Sequence, residues 1–242
     1  SPLLAHDTVA TVREAIRLHG RADRPNLYIK IPGTAAGLQA IEEAIVAGVP
    51  VNVTLLFTAE HYLAAAEAYL RGIERRIEAG LDPLVASVAS VFVSRWDSAV
   101  TGKVPESLET TLGLAMGKRI YAAYRALLAS DRWQRLANEG ARPQRLLFAS
   151  TGTKDPNASD VLYVAGLAAP HTVNTMPEVT LLAFADHGTV VSLLRADGGD
   201  AEQVLAAIGN AGVDIDELGR RLQKDGATAF VQSWEQLLAC IA

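Results

Sequence analysis

The sequence predicts an α/β chain built on a parallel sheet. Short apolar runs alternate with longer stretches of helical period, the signature of β/α units. Half of the 242 residues are hydrophobic, enough for one sizeable core. No short-period repeat, low-complexity tract or linker divides them, so residues 1–242 read as a single domain.

Residues 7–18 predict the first helix. Asp7 can cap it, Val9, Val12 and Ile16 form its apolar stripe, and Gly20 ends it. A strand follows at 26–32, then a helix over 35–47 with Leu38, Ile41 and Ile45 inward and Gly48 as its stop. The second strand covers 49–57. A long helix over 59–79 is broken by Asp82-Pro83, and the third strand covers 86–94. Val104-Pro105 opens a helix to about residue 129, since proline is tolerated in a first turn. Ser130 or Asp131 caps a short helix that ends near Gly140. The fourth strand is 146–151, a short helix lies near 160–166, and the fifth strand is 172–176. Residues 190–194 have strand character outside the alternation. From Asp200 onward the pattern is helical, and Trp234, Leu237, Leu238 and Ile241 give the last helix an apolar side.

Charge and composition exclude several classes of function. The net charge is −5, and no basic cluster carries interleaved aromatics, which argues against nucleic acid as a partner. The lone cysteine, Cys240, rules out an internal disulfide and a cysteine metal cage, so no metal is expected and a reducing, cytoplasmic location fits. No segment has the uninterrupted apolar length of a membrane span.

Lys30 stands out within Asn26-Leu27-Tyr28-Ile29-Lys30-Ile31-Pro32, which otherwise reads as a buried strand. Burial lowers an amine's pKa, and a neutral amine is a nucleophile for a carbonyl carbon. A strand-end lysine that snorkels or pairs with a carboxylate fits the same run. In the second strand, alternation puts Val51, Val53 and Leu55 on one face and Asn52, Thr54 and Leu56 on the other. Two polar groups in one column need partners, which a neighbouring strand or a ligand could supply. In the third strand, Ser90, Phe92 and Ser94 share a face. Arg95 has the opposite parity and is expected to turn over the strand end, where its planar fork suits a phosphate. A surface ion pair with Asp97 is the alternative. After the fourth strand, Ser150-Thr151-Gly152-Thr153-Lys154 reads equally as part of an anion site or as a solvated loop.

Together these segments resemble the transaldolases, the Schiff-base enzymes of the pentose phosphate pathway. The resemblance lies in Tyr28-Ile29-Lys30-Ile31-Pro32-Gly33-Thr34, in Val51-Asn52-Val53-Thr54-Leu55-Leu56-Phe57 and in Ser90-Val91-Phe92-Val93-Ser94-Arg95. Two weaker segments, 149–154 and 173–177, also look like family segments. The resemblance runs over almost the whole chain and is closest to bacterial forms.

It implies a TIM-type parallel (β/α) barrel and transfer of a dihydroxyacetone unit between sugar phosphates, with no cofactor. It implies that Lys30 forms the Schiff base, Asn52 orients the dihydroxyacetone part and Thr54 helps hold the catalytic water. Ser90 would bind substrate hydroxyls, Arg95 would bind the phosphate, and Ser150 and Lys154 would share that phosphate. The family's barrel has three strands before the lysine strand, and they carry its main acid/base groups. Ser1-Pro2-Leu3-Leu4-Ala5-His6-Asp7-Thr8 resembles the segment just after the third. The chain is therefore expected to cover strands four to eight, and to associate with further copies or with the missing N-terminal segment. Two other readings are a lysine-dependent class I aldolase that releases dihydroxyacetone to water, and a non-catalytic barrel fragment or assembly partner.

Overall fold

A computed structural model describes residues 1–241. Five strands form one sheet: β1 (Ile29–Pro32), β2 (Val51–Leu56), β3 (Ser87–Phe92), β4 (Arg145–Ala149) and β5 (Thr172–Asn174). Their spatial order is their chain order, and every adjacent pair is parallel. Helices α1 (Thr8–Ala22), α2 (Ala35–Val46), α3 (Ala59–Glu78), α4 (Ser94–Val100) and α5 (Leu112–Ala129) punctuate the strands. Then come α6 (Asp131–Asn138), α7 (Leu162–Gly166), α8 (Glu178–His187), α9 (Ala201–Asn210) and α10 (Ile215–Ile241). The helix starts are written locally. Asp7, Thr34 and Thr58 accept from the backbone N–H of Ala10, Gly37 and His61, satisfying donors that the first turn leaves free.

Strand alternation sorts the core into two apolar clusters. Ile31, Val51, Val53, Ala89, Val91, Leu146 and Phe148 pack with the flanking helices. Val88, Phe92, Leu147 and Ala149 form the other side with residues of α9 and α10. One strand breaks the alternation. Leu55 has φ 61, and the β2–β3 register shifts between Val53 and Leu56. This bulge sends Leu55 to the inner cluster and Leu56 to the helix side, the reverse of the parity expected for both.

Other expectations are corrected. Residues 190–194 form no strand. Residues 104–111 are not helical throughout: a 3₁₀ turn covers Glu106–Leu108, and α5 begins at Leu112, where the buried Asp97 carboxylate accepts from Gly113 N–H at 2.9 Å. In α1, the small Ala10 and Ala15 are buried, while Val9 and Ile16 are exposed. Small residues allow close packing on α2 and β1 and leave the larger side chains outside. At the end of α10, Leu237, Leu238 and Ile241 are exposed as well. So are Val179, Leu181 and Leu182 of α8, next to the other edge strand, β5.

Candidate active site

The register of the first two strands sets the site. Lys30 lies opposite Asn52 and Pro32 opposite Thr54. Ser90, from β3, donates to Asn52 Oδ1 at 2.7 Å. That leaves the two amide N–H groups of Asn52 without a partner among the described residues. Thr54 precedes the bulge and so keeps the face of Asn52. Its side chain is buried, yet its Oγ1 has no hydrogen-bond partner among the described residues. An unmet buried hydroxyl costs about 1–3 kcal/mol, which marks it as a seat for water or a ligand hydroxyl.

Lys30 and Thr54 line a groove of about 530 Å³ along β1, walled by α1 on one side and by Ala227, Phe230, Trp234 and Leu237 of α10 on the other. Lys30 is exposed along this groove instead of buried, a correction to the reading of its strand. β1 is an edge strand: Ile31 faces the helices and is buried, while Lys30 points the other way. The amine nevertheless loses enough water for its pKa to be lowered by desolvation. Among the described residues it has no ion pair or hydrogen bond, and the Phe230 ring lies beside it, 5.7 Å from Nζ to centroid. An amine without a carboxylate partner and with a depressed pKa is suited to nucleophilic attack on a ketone.

Arg95 lies in the first turn of α4, just past the end of β3: the strand stops at Phe92 and the helix begins at Ser94. Its guanidinium stacks over Phe92, with Cζ 4.8 Å from the ring centroid. Burial lowers its pKa, and it has no carboxylate partner among the described residues. Asp97 is not its surface partner. Asp97 is buried and accepts from Tyr163 Oη at 2.6 Å and from Gly113 N–H. Burial pushes its carboxyl up to about 6, against the pull of those donors.

The ends of β3 and β4 are tied together. Ser94 N–H donates to Ser150 O at 3.0 Å, and the Ser94 and Ser150 hydroxyls lie 2.9 Å apart. Ser150 has φ 57, a left-handed conformation that a serine holds only under constraint. Thr151 and Gly152 are buried, and Thr151 Oγ1 lies 2.8 Å from Asn174 Oδ1, so this part of the segment is not a solvated loop. Lys154 does lie in an exposed loop, with no hydrogen bond or ion pair among the described residues.

Sequence reasoning placed Ser94 on the face of Ser90 without giving it a role, and it missed Gln223 and Phe230. The spacing of Gln223, Gly226 and Phe230 places them on one face of a helix, which was the available signal.

Comparison with known proteins fixes the family. The family described as Transaldolase/Fructose-6-phosphate aldolase matches residues 1–241. The chain belongs to this family. A transaldolase of Frankia alni is 48% identical over 250 residues, covering 100% of this chain and 67% of that protein. A transaldolase of Parafrankia sp. is 47% identical, covering 99% of this chain and 68% of the relative. One of Thermobifida fusca is 46% identical, covering 100% and 68%. The chain thus spans about two thirds of the length of these relatives. Such matches favour a transaldolase, a transferase, over an aldolase that releases free dihydroxyacetone or a non-catalytic barrel piece. No helix among the described residues is long and apolar enough to cross a membrane.

Proposed function

We propose that this family member transfers a dihydroxyacetone unit from a ketose phosphate to an aldose phosphate through a Schiff base on Lys30. The observation that carries the reading is the lysine itself: unpaired, partly desolvated and in register with the Asn52–Ser90 pair. The Lys30 amine attacks the C2 carbonyl of a donor such as fructose 6-phosphate or sedoheptulose 7-phosphate. Loss of water gives an iminium, which draws the electrons of the C3–C4 bond as that bond breaks. An aldose phosphate leaves and an enamine remains. The enamine attacks erythrose 4-phosphate or glyceraldehyde 3-phosphate, and hydrolysis frees the lysine. The free amide N–H groups of Asn52 suit the dihydroxyacetone oxygens. The unmet Thr54 hydroxyl suits a water, and Arg95 suits the phosphate. In this reading Ser150, whose hydroxyl lies 2.9 Å from that of Ser94, and Lys154 share the phosphate with Arg95.

We read the five strands as the fourth to eighth of an eight-stranded TIM-type barrel. The open edges of β1 and β5, and the exposed apolar side chains of α1 and α8 beside them, support this. Three further β/α units, bearing acid/base groups, would close such a barrel. A cytoplasmic setting suits the lone, exposed Cys240.

Sodium borohydride with fructose 6-phosphate tests the chemistry. An irreversible adduct at Lys30 is expected, and none in Lys30→Arg, because a guanidinium stays protonated. Labelling at Lys154 instead would move the reactive centre to the wrong strand.

A further inference from the structure

The aromatic ring beside the Lys30 amine comes from near the end of the chain. Gln223 Nε2, on α10, donates to Gly33 O at 3.2 Å and to Leu55 O at 3.0 Å. These carbonyls lie just past β1 and at the β2 bulge. One turn on, Gly226 permits close approach: a Cβ there would lie 2.8 Å from Leu55 Cδ2 and 3.1 Å from Arg95 Nη1. A further turn on, Phe230 meets Lys30. One face of α10 therefore touches the lysine strand, the bulge and the arginine together.

We propose that Phe230 faces the Lys30-bound intermediate and favours its transfer to an aldehyde over its loss to water, with Gln223 as the positioning residue that seats the ring. The inference rests on the transaldolase reading and adds what governs the fate of the enamine. In transfer, the enamine carbon forms a bond to the acceptor's carbonyl carbon, and the carbonyl oxygen takes a proton. In the losing branch, that carbon takes a proton from solvent instead. Both branches then pass through an iminium that water hydrolyses, breaking the C–N bond and restoring the amine. Neither branch changes the oxidation balance. The branching step is protonation of carbon, so water held away from the enamine slows the step that is unique to the losing branch, while hydrolysis of the iminium comes later and in both. The π face of the ring also favours the cationic iminium formed from the donor, before the branch point.

The test compares the native protein with Phe230→Ala, Phe230→Leu and Gln223→Met. Release of free dihydroxyacetone from fructose 6-phosphate is measured without acceptor, and sedoheptulose 7-phosphate formation is measured with erythrose 4-phosphate. The release-to-transfer ratio is expected to rise about tenfold in Phe230→Ala, equivalent to about 1.4 kcal/mol between two barriers. It should rise less in Phe230→Leu, which keeps apolar bulk, and should also rise in Gln223→Met, which keeps the ring but loses its anchor. The conservative leucine variant keeps the test open if the alanine variant does not fold. An unchanged ratio in the folded Phe230 variants, with Lys30 still trapped by borohydride, overturns the role of Phe230 alone. No adduct in the native protein overturns the transaldolase reading and this inference with it.

Discussion

Replacing Asp97 with Asn should flatten the protein's stability profile between pH 4 and pH 7. The Asp97 carboxyl is buried between Tyr163 Oη and Gly113 N–H, and burial raises it from 3.8 to about 6. The folded state therefore keeps a proton that the unfolded state has released. Where the native state binds more protons, stability falls as pH rises. The fall begins near the unfolded value and is complete once pH exceeds the folded one. At about 1.4 kcal/mol per tenfold, the full penalty is about 3 kcal/mol, of which roughly 2 kcal/mol develops between pH 4 and pH 7. Asparagine cannot ionise. Its Oδ1 can still accept from Gly113 N–H, and its Nδ2 can donate to Tyr163 Oη. Urea unfolding of both proteins at the two pH values measures the difference. With a slope of about 2–3 kcal/mol per molar urea, the midpoint gap should change by roughly 0.8 M in favour of Asn at pH 7. Surface carboxylates such as Glu74, Asp200 and Glu202, whose pKa values are lowered by arginine or lysine partners, act alike in both proteins and cancel. Parallel profiles for the two proteins would refute the reasoning, because Asp97 would then ionise in the fold at no cost.

Arg95→Ala should raise KM for phosphorylated sugars by roughly ten- to a hundredfold, from about 1.5–3 kcal/mol for a hydrogen bond to a charged group. An equal rise for unphosphorylated sugars would contradict a phosphate role. Thr54→Val removes a buried hydroxyl that has no partner, so it should leave the urea midpoint unchanged or higher while slowing transfer. A lower midpoint would mean that the hydroxyl is already satisfied within the protein.

The five strands were legible because each is a short apolar run between helical stretches. The shared face of Asn52 and Thr54 follows from the same alternation, whereas the register that sets Lys30 opposite Asn52 is fixed by the sheet as a whole. What was not legible depends on distant neighbours. Nothing in Leu55 announces a left-handed backbone, because leucine has no preference for it; the bulge is held by contacts with α10. Asp97 looks like a surface partner for Arg95 until α7 supplies Tyr163. The stripe of α1 was misassigned because hydrophobicity favoured Val9 and Ile16, whereas close helix packing buried the alanines. In α10, hydrophobicity is concentrated at 234–241, where Leu237, Leu238 and Ile241 stay exposed, whereas the contacts with the lysine strand come from Gln223, Gly226 and Phe230.

The two bonds from Gln223 also say something about the order of folding. They join residues 190 and 168 positions apart in the chain. Closing loops of that length is entropically costly, and neither acceptor carbonyl is in place until β1 and β2 have paired. The helix carrying Phe230 must dock late, onto strands already assembled. During synthesis, the lysine strand is therefore complete well before its aromatic neighbour arrives. Hydrogen exchange pulsed through refolding should protect Val53 and Ile31 before the amides of α10.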